Sequence, residues 1–321
     1  MGEMLIDMFP AEVGRRLVDV SAFRPMPGGA PANVAVAAQR LGATSAFIGK
    51  VGNDAFGQLL IDTLRAEGVE TRGMRVDPDA RTTLAFIAMP DAASAEFVFY
   101  RNPGADMMLR PDELDETLLR RARALHFGSI SLIAEPSRSA TLRAIELAGR
   151  AGALISFDVN YRPSLWPNAE SAVDAIRYAL PLAHLVKLNE AEALLLAGSH
   201  DPLVAGETLI NGQTRACVIT RGPQGSAFCV WQEPDWTVAF IPAFPVEAVD
   251  AIGCGDAFMA GLLVRLTTRD ESGDPLERLN EPYLRRSLRY AAAVGALTAL
   301  RRGVIPALPT AIQVEAFLRS R

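Results

Sequence analysis

The sequence predicts an α/β fold: a mostly parallel sheet covered by helices on both faces, a three-layer sandwich, plus a small β-sheet lid. Strand-like and helix-like segments alternate regularly from residue 111 onwards, which indicates a parallel sheet. Two strand-like runs, 82–89 and 96–101, have no helix between them, which indicates a hairpin outside that sheet. Polar residues follow the ends of several predicted strands, where α/β sheets bind their ligands.

Composition limits the classes of function. The chain of 321 residues is 50% hydrophobic, so it can bury roughly three quarters of its unfolded surface. A net charge of −5 and a pI of about 5.4 argue against nucleic acid or an anionic membrane as a partner. No apolar run approaches ~18 residues, so no membrane span is expected. The acidic start is unlike a signal peptide and the cysteines lack CxxC spacing, so we expect a reduced, cytoplasmic protein.

The amino-terminal segment predicts a buried strand at residues 4–8, with Asp7 near its tip. A central strand would need several apolar residues before Gly2, so we expect most of the usual first strand to be missing here. Residues 11–26 lack a helical period and predict a short strand that leaves the core.

The next segment predicts a ligand contact where a helix begins. The paired glycines Gly28 and Gly29 give a ligand close access to the backbone, and Asn33 can donate and accept hydrogen bonds beside it. A helix is predicted over 34–41, although the glycines would also suit a plain turn with a tight helix contact.

We predict two units. The α/β core comprises residues 1–10, 27–72 and 107–321. The small β lid comprises residues 11–26 and 73–106, and the second of these ranges contains the hairpin. The alternating segments of the core are helix 111–121, strand 124–128, helix 136–151, strand 153–157, helix 169–179, strand 184–188, helices 190–197 and 202–212, strands 215–220, 226–231 and 236–241, and helices 254–267 and 281–302.

Several predicted strands end in polar groups. These are Gly128 and Ser129; Asp158, Asn160 and Arg162; Lys187, Asn189 and Glu192; and Thr220, Arg221 and Gly222. Because the carboxyl ends of parallel strands meet at one edge of a sheet, we expect these groups around one ligand site. Arg162 and Arg101 could each reach an anion or a hydroxyl, and a structural ion pair is an equally good interpretation of both.

The stretch 250–258 is where chemistry is expected. Gly253 and Gly255 let backbone amides converge where a helix begins, and such an end binds anions. Asp256 lies at the same place, and a carboxylate beside a bound phosphate is unfavourable unless it handles a proton or a metal. This conflict indicates phosphoryl transfer, although Asp256 could instead only cap the helix. We expect Asp256 to be ionised at neutral pH and therefore a poor base for a resting alcohol.

The chain resembles the ribokinase-like (PfkB) carbohydrate kinases, and within them the fructokinases, over essentially its whole length. The matching stretches are PGGAPANVA from Pro27, LGATSAFIGKVG from Leu41, FYRNPGADMML from Phe99, HFGSISLI from His126, DVNYRPSLWP from Asp158 and GCGDAF from Gly253. The resemblance implies a ribokinase-like sandwich and transfer of the γ-phosphoryl group of ATP to a hexose, in the first instance D-fructose to fructose 6-phosphate.

The resemblance also implies roles for individual residues. Asp256 would be the catalytic base, and the amides of Gly253, Cys254 and Gly255 would stabilise the transferring phosphoryl group. The implied sugar-binding residues are Asp7, Gly28, Gly29, Asn33, Asn160 and Arg162, to which we add Arg101 as a hypothetical lid contact. The implied nucleotide-binding residues are Asn189, Thr220, Gly222 and Gly225, and we place Lys187 with them. Glu192 would support Mg²⁺ through water, a K⁺-like ion would lie beside Asp250, and the lid would pair two subunits into a homodimer.

Two departures from the family pattern qualify these expectations. The family loop is typically DTTGAGD, and here Ala251 and Ile252 replace both threonines while Cys254 replaces alanine. The lost hydroxyls leave the K⁺ requirement open. Ala292 stands where many relatives have an asparagine, so one contact on the adenine side is expected to be missing.

Three alternatives stay open. The nearest is 2-keto-3-deoxygluconate kinase, whose carboxylate-bearing substrate would use Arg101 and Arg162 well. A non-catalytic sugar-binding regulator on the same fold is supported by the altered loop and opposed by the intact Asp256. A Rossmann dehydrogenase is a weak third alternative because no GxGxxG follows the first strand.

Overall fold

A computed structural model describes residues 1–12, 14–88, 90, 96–268 and 273–321. The predicted end of the first hairpin strand at Met89 and most of its connection, residues 91–95, lie outside this part of the chain. No helix in the described ranges is long and apolar enough to cross a bilayer.

The strands and helices follow the predicted alternation. The strands are β1 (Leu5–Pro10), β2 (Phe23–Gly28), β3 (Ala46–Gly52), β4 (Glu70–Asp77), β5 (Leu84–Ala88), β6 (Glu96–Tyr100), β7 (Ala124–Gly128), β8 (Leu154–Asp158), β9 (Leu185–Asn189), β10 (Ala216–Thr220), β11 (Ser226–Gln232) and β12 (Asp235–Ile241). The α-helices are α1 (Ala30–Arg40), α2 (Ala55–Ala66), α3 (Glu116–Arg121), α4 (Ser137–Arg150), α5 (Ala169–Ala179), α6 (Glu190–Ala197), α7 (Pro202–Leu209), α8 (Cys254–Thr267), α9 (Glu281–Thr298) and α10 (Ala311–Arg319).

A six-stranded sheet in the order β12-β11-β10-β9-β8-β7 forms the middle layer. Strands β7 to β10 are parallel, and β11 and β12 continue the sheet as an antiparallel hairpin. Successive side chains of each strand enter different cores: Leu185 packs with α1, α8 and α9, whereas Val186 packs with α4, α5 and α7. The predicted three-layer sandwich is therefore confirmed.

A separate four-stranded sheet has the order β2-β1-β5-β6. It contains β1, so residues 5–10 belong to the small sheet and not to the six-stranded one, unlike the predicted division of the chain. Strand β4 was not predicted. It runs parallel to β3, and the predicted lid boundary between residues 72 and 73 falls inside it. The largely polar sequence of β4 hid its pairing with the buried β3.

Some predicted helix ends move by a few residues. Helix α1 begins at Ala30 and not at residue 34, because Pro31 is tolerated in a first turn. The helix predicted over 111–121 shortens to Glu116–Arg121, because Leu114 is extended and Asp115 caps the following turn.

Helix α8 is fixed by close packing against α9. A Cβ at Gly261 would lie 2.9 Å from Val294 Cγ2 and 3.0 Å from the Ala291 Cα, so only glycine allows this approach. Helix α1 packs on the same helix. The position of the α8 amino terminus relative to the sheet is therefore well defined.

Candidate active site

The start of α8 has the backbone geometry that the glycine motif predicts. Gly253 has a φ of 78° in the left-handed region, and any side chain there would collide with Val304. The amide of Cys254 donates to the Ala251 carbonyl at 3.3 Å. Because first-turn amides have no partner within a helix, the amides of Gly255 and Asp256 are suited to an anion, whereas that of Cys254 already has a partner.

Asp256 lies in the first turn of α8 and is held by Asn33 of α1. The Asn33 side-chain amide donates to Asp256 Oδ2 at 2.8 Å. Desolvation raises the pKa of Asp256 to about 6, with Asp158 adding to the rise and the Asn33 hydrogen bond opposing it. The carboxylate is therefore ionised at neutral pH, as expected. The desolvated environment makes the carboxylate a stronger base than an exposed aspartate. Towards a resting alcohol it is still weak, so the expectation of a poor base stays a prediction.

A second carboxylate, Asp7 on β1, faces the same space. Any side chain at Gly28 would collide with Asp7 Oδ2, so this glycine keeps the backbone of β2 against the carboxylate. Desolvation raises the pKa of Asp7 to about 7, and the charge of Asp256 adds to the rise. Gly29 has a φ of 104°, and a Cβ there would lie 2.6 Å from the Glu3 carbonyl oxygen. The structure thus brings together four of the predicted sugar-binding residues: Asp7, Gly28, Gly29 and Asn33.

The segment after β8 brings a cation to this space. The charge of Arg162 lowers the pKa of both Asp7 and Asp256, although desolvation outweighs it in each case. Arg162 Nη1 also donates to the carbonyl of Tyr161 at 3.3 Å. Asn160 has a φ of 40°, a left-handed conformation that asparagine tolerates better than most residues. Arg162 therefore lies close enough to act electrostatically on both carboxylates. Asn160 precedes it by two residues, and its contact with the sugar stays a prediction.

A buried ion pair lies beneath the α8 loop. Lys187 Nζ on β9 is 2.9 Å from Asp158 Oδ2 on β8, and both side chains are under 10% exposed. A Cβ at Gly255 would lie 3.2 Å from the same Nζ. Burial alone would lower the pKa of Lys187, but the carboxylates of Asp158, Glu192 and Asp256 outweigh it and the net shift is upwards. Lys187 is therefore protonated and close to the start of α8, and its contact with the nucleotide stays a prediction.

Asn189 and Glu192 form a capping box at the start of α6. Asn189 Oδ1 accepts from the Glu192 amide at 2.9 Å, and Glu192 Oε2 accepts from the Asn189 amide at 2.8 Å. Glu192 Oε1 also accepts from the Tyr161 amide at 2.7 Å. Burial raises the pKa of Glu192, with Asp158 adding to the rise. Both carboxylate oxygens are thus engaged in joining α6 to the segment after β8.

The turn between β10 and β11 carries the predicted nucleotide-binding glycines. Gly222 and Gly225 have φ values of 53° and 95°, and a side chain at Gly225 would collide with the Ile241 carbonyl. Thr220 Oγ1 donates to the Leu188 carbonyl at 3.2 Å. This turn follows the strand next to β9, so it lies at the same rim as Lys187.

Asp250 braces the loop before α8. Its Oδ1 accepts from the Ile252 amide at 2.9 Å, and its Oδ2 accepts from the Gly303 amide at 3.1 Å. The Asp250 amide donates to the Ala299 carbonyl at 3.2 Å. These bonds tie the loop to the segment after α9.

Arg101 has a structural partner. Its Nη2 is 2.7 Å from Asp106 Oδ2, with side-chain exposures of 4% and 1%, and Thr83 Oγ1 donates to Asp106 Oδ1 at 2.5 Å. The hypothesis of a free lid contact is therefore not favoured by the geometry, and the ion-pair interpretation of Arg101 is.

Sequence reasoning missed Glu3. Desolvation raises its pKa to about 7, with the charges of Asp106 and Asp256 adding to the rise, and its Oε2 has no hydrogen-bond partner in the described residues. An acid directly before the buried run 4–8 was the available signal. The described residues contain no group of three or more His, Cys, Asp or Glu that could hold a metal ion.

Comparison with known proteins places these features in a family. The sequence matches the pfkB family carbohydrate kinases over residues 1–311. It is 44% identical over 322 residues to a relative from Arabidopsis thaliana named "Probable fructokinase-6, chloroplastic", covering 99% of this chain and 82% of that protein.

Two solved structures are similar over nearly the whole chain. A fructokinase from Xylella fastidiosa with bound ATP has a TM-score of 0.89 and 32% identity, covering 99% of this chain and 97% of that one. A fructokinase from Vibrio cholerae with fructose, ADP and calcium ion has a TM-score of 0.85 and 31% identity, with the same two coverages of 99% and 97%.

Proposed function

Because this chain belongs to the pfkB family of carbohydrate kinases, we propose that it transfers the γ-phosphoryl group of ATP to a primary hydroxyl of D-fructose, giving fructose 6-phosphate. The observation that carries the proposal is the pair of desolvated carboxylates, Asp7 and Asp256, at the amide-rich start of α8. Relatives and structural neighbours named fructokinase support the choice of sugar.

The proposed mechanism assigns the proton to Asp256. The sugar binds between Asp7 and Asp256, with its reacting hydroxyl within hydrogen-bond reach of Asp256. Asp256 accepts that proton as the oxygen attacks phosphorus, and Asn33 holds the carboxylate in position through its 2.8 Å hydrogen bond. Because the transition state of phosphoryl transfer is loose, the remaining task is to position the substrates and to offset negative charge. The amides at Gly255 and Asp256 and the nearby Lys187 do this.

Mg²⁺ belongs to the proposal as a partner of ATP. When bound, it neutralises charge that develops on the phosphate oxygens. Both oxygens of Glu192 already accept backbone hydrogen bonds, so Glu192 fits a role through water and not direct ligation. We place Asn189, Thr220, Gly222 and Gly225 along the nucleotide. A K⁺-like ion beside Asp250 would depend on main-chain oxygens, because both carboxylate oxygens of Asp250 are engaged and Ala251 and Ile252 lack hydroxyls.

The choice of sugar is tested by measuring ADP release with a panel of sugars, ATP and Mg²⁺. We expect fructose to give the highest kcat/KM, and 2-keto-3-deoxygluconate to react poorly, because the buried pairing of Arg101 with Asp106 leaves it unsuited to bind a carboxylate. A preference for 2-keto-3-deoxygluconate would overturn the assignment of the sugar. Absence of ATP-dependent turnover with every sugar would favour the non-catalytic regulator.

We also propose a homodimer that pairs through the four-stranded sheet. Val98 and Tyr100 of β6 are exposed by 44% and 66%, and Phe86 packs edge-on against both Tyr100 and Phe23. Such an apolar sheet surface is suited to burial against a second copy. Light scattering should give twice the mass of 34.5 kDa for the wild type and a lower mass for Tyr100→Glu. A monomeric wild type would refute the dimer.

The proposed compartment is the cytoplasm. Cys217 and Cys229 are directly opposite each other on β10 and β11, and both are free thiols. Neighbouring free thiols fit a reducing compartment.

A further inference from the structure

A cleft between α8, α9 and α10 lies away from the start of α8. It has a volume of about 420 Å³ and is lined by Arg265, Arg286, Arg289, Tyr290, Glu315, Leu318 and Arg319. Arg265 is in the last turn of α8 and Asp256 in the first. Helix rise separates these two positions by about 13 Å along the axis. The cleft is therefore a different site from the one proposed for phosphoryl transfer.

The arginines of the cleft lack carboxylate partners. Within the described part of the chain, Arg265, Arg286, Arg289 and Arg319 form no ion pair, whereas Arg285, on the same helix, is 2.7 Å from Glu281. Glu315 is the single carboxylate among the lining residues. A chain with a net charge of −5 thus concentrates positive charge at this place, where four arginines face one glutamate.

Aromatic rings hold three of the guanidinium groups in place. Three guanidinium groups lie over aromatic rings, and each distance here is from the guanidinium carbon to the ring centre. The pairs are Arg265 and Tyr290 at 5.7 Å, Arg286 and Tyr283 at 5.2 Å, and Arg289 and Phe244 at 5.2 Å. Stacking leaves the N–H groups at the guanidinium edge available to an anion. A side chain that is already held loses less conformational freedom on binding, which favours affinity.

We propose that this cleft binds a small organic anion that carries phosphate. Guanidinium groups match phosphate oxygens in paired hydrogen bonds, and several of them favour a ligand with at least two negative charges. Tyr290 and Leu318 offer an apolar surface to the organic part of the ligand. Glu315 can accept a hydrogen bond from a hydroxyl or amino group of that part.

The test uses inorganic pyrophosphate as the simplest polyanionic probe. Isothermal titration calorimetry is performed on protein saturated with a non-hydrolysable ATP analogue, so that the transfer site is filled. We expect one site with a Kd below about 1 mM. Arg286→Gln on α9 and Arg319→Gln on α10 should each weaken binding by about five- to tenfold, because each removes a charge-assisted hydrogen-bond donor.

Arg285→Gln is the matched control. It removes the same charge one residue away, but Arg285 pairs with Glu281 and does not line the cleft, so its Kd should stay within twofold of the wild type. Equal weakening in all three variants, or no binding to the wild type, would overturn the proposal. Turnover of fructose should be unchanged in all three, so failure here is distinguishable from failure of the kinase assignment.

Discussion

Two groups of carboxylates lie at the candidate active site, and their environments differ. Asp158 is paired with Lys187 at 2.9 Å. Asp7 and Asp256 lie in a desolvated environment and form no ion pair with any described residue, and their pKa values are raised to about 7 and about 6. The paired carboxylate stabilises the floor of the site. Folding keeps Asp7 and Asp256 desolvated, which lowers the stability of the protein and brings their pKa values into a range suited to proton transfer. This difference distinguishes structural from reactive acids.

Replacing the unpaired carboxylate at the centre of this comparison should have the largest effect. We expect Asp256→Asn to lower kcat by about 10²–10⁴-fold, because it removes the proton acceptor while keeping the shape of the side chain. The ATP and sugar dissociation constants should stay near those of the wild type, as measured by calorimetry. Asp54→Asn, which alters the cap of α2, is the control and should keep kcat. Retention of a tenth of wild-type kcat by Asp256→Asn would refute the base assignment.

Breaking the paired group should instead reduce stability. Lys187→Met leaves Asp158 buried without its cation, and loss of one partner of a buried pair typically costs about 3–5 kcal/mol. Urea unfolding should show this loss. The double variant Lys187→Met/Asp158→Asn should recover much of it, because no uncompensated charge is left. If the double variant were as unstable as the single one, the pair would not have the stabilising role assigned here.

Removing the second unpaired carboxylate should separate stability from function. An acid whose pKa rises from 3.8 to about 7 on folding destabilises the protein as pH increases through that window. Asp7→Asn should therefore raise Tm at pH 8 by roughly 2–4 °C and leave it unchanged near pH 4. The same variant should raise KM for fructose at least about tenfold through loss of a charged hydrogen-bond partner. A lower Tm at pH 8 would contradict the raised pKa.

The pH dependence of turnover reports on the same carboxylates. Because the pKa of Asp256 is about 6, the base is ionised above that pH and becomes protonated below it. We expect kcat to fall on the acid side with a midpoint near pH 6. A midpoint near pH 4 in a pH–rate profile would mean that the carboxylate is not desolvated in the working enzyme.

The smallest expected effect concerns the monovalent ion. Both carboxylate oxygens of Asp250 accept backbone hydrogen bonds, and Ala251 and Ile252 contribute no side-chain oxygen. Replacing K⁺ by Na⁺ at constant ionic strength should therefore change kcat by less than about twofold, because the site offers few oxygen ligands. A tenfold activation by K⁺ in the ADP-release assay would contradict this.

The sequence predicted the six-stranded sheet well, because strand-like runs alternate with helix-forming segments along the chain. Helices α5, α6 and α8 have the predicted bounds. It missed β4, whose polar residues carry no strand pattern. It predicted β1 as a strand but assigned it to the wrong sheet, because the pairing of β1 with β5 is a long-range contact. The glycines of the site and its acids other than Glu3 were found from local patterns. The partner of Arg101 and the raised pKa values could not be found, because burial and pairing arise only from the folded arrangement.

Strand β1 connects the four-stranded sheet directly to the proposed active site. It carries Asp7 and pairs with β2, which ends at Gly28, so the four-stranded sheet itself provides two proposed sugar contacts. Asp256 lies on α8, outside this sheet. Any tilt of this sheet relative to α8 changes the distance between the carboxylates of Asp7 and Asp256. One movement of the sheet would then govern substrate entry, the placement of the sugar hydroxyl beside Asp256 and product release.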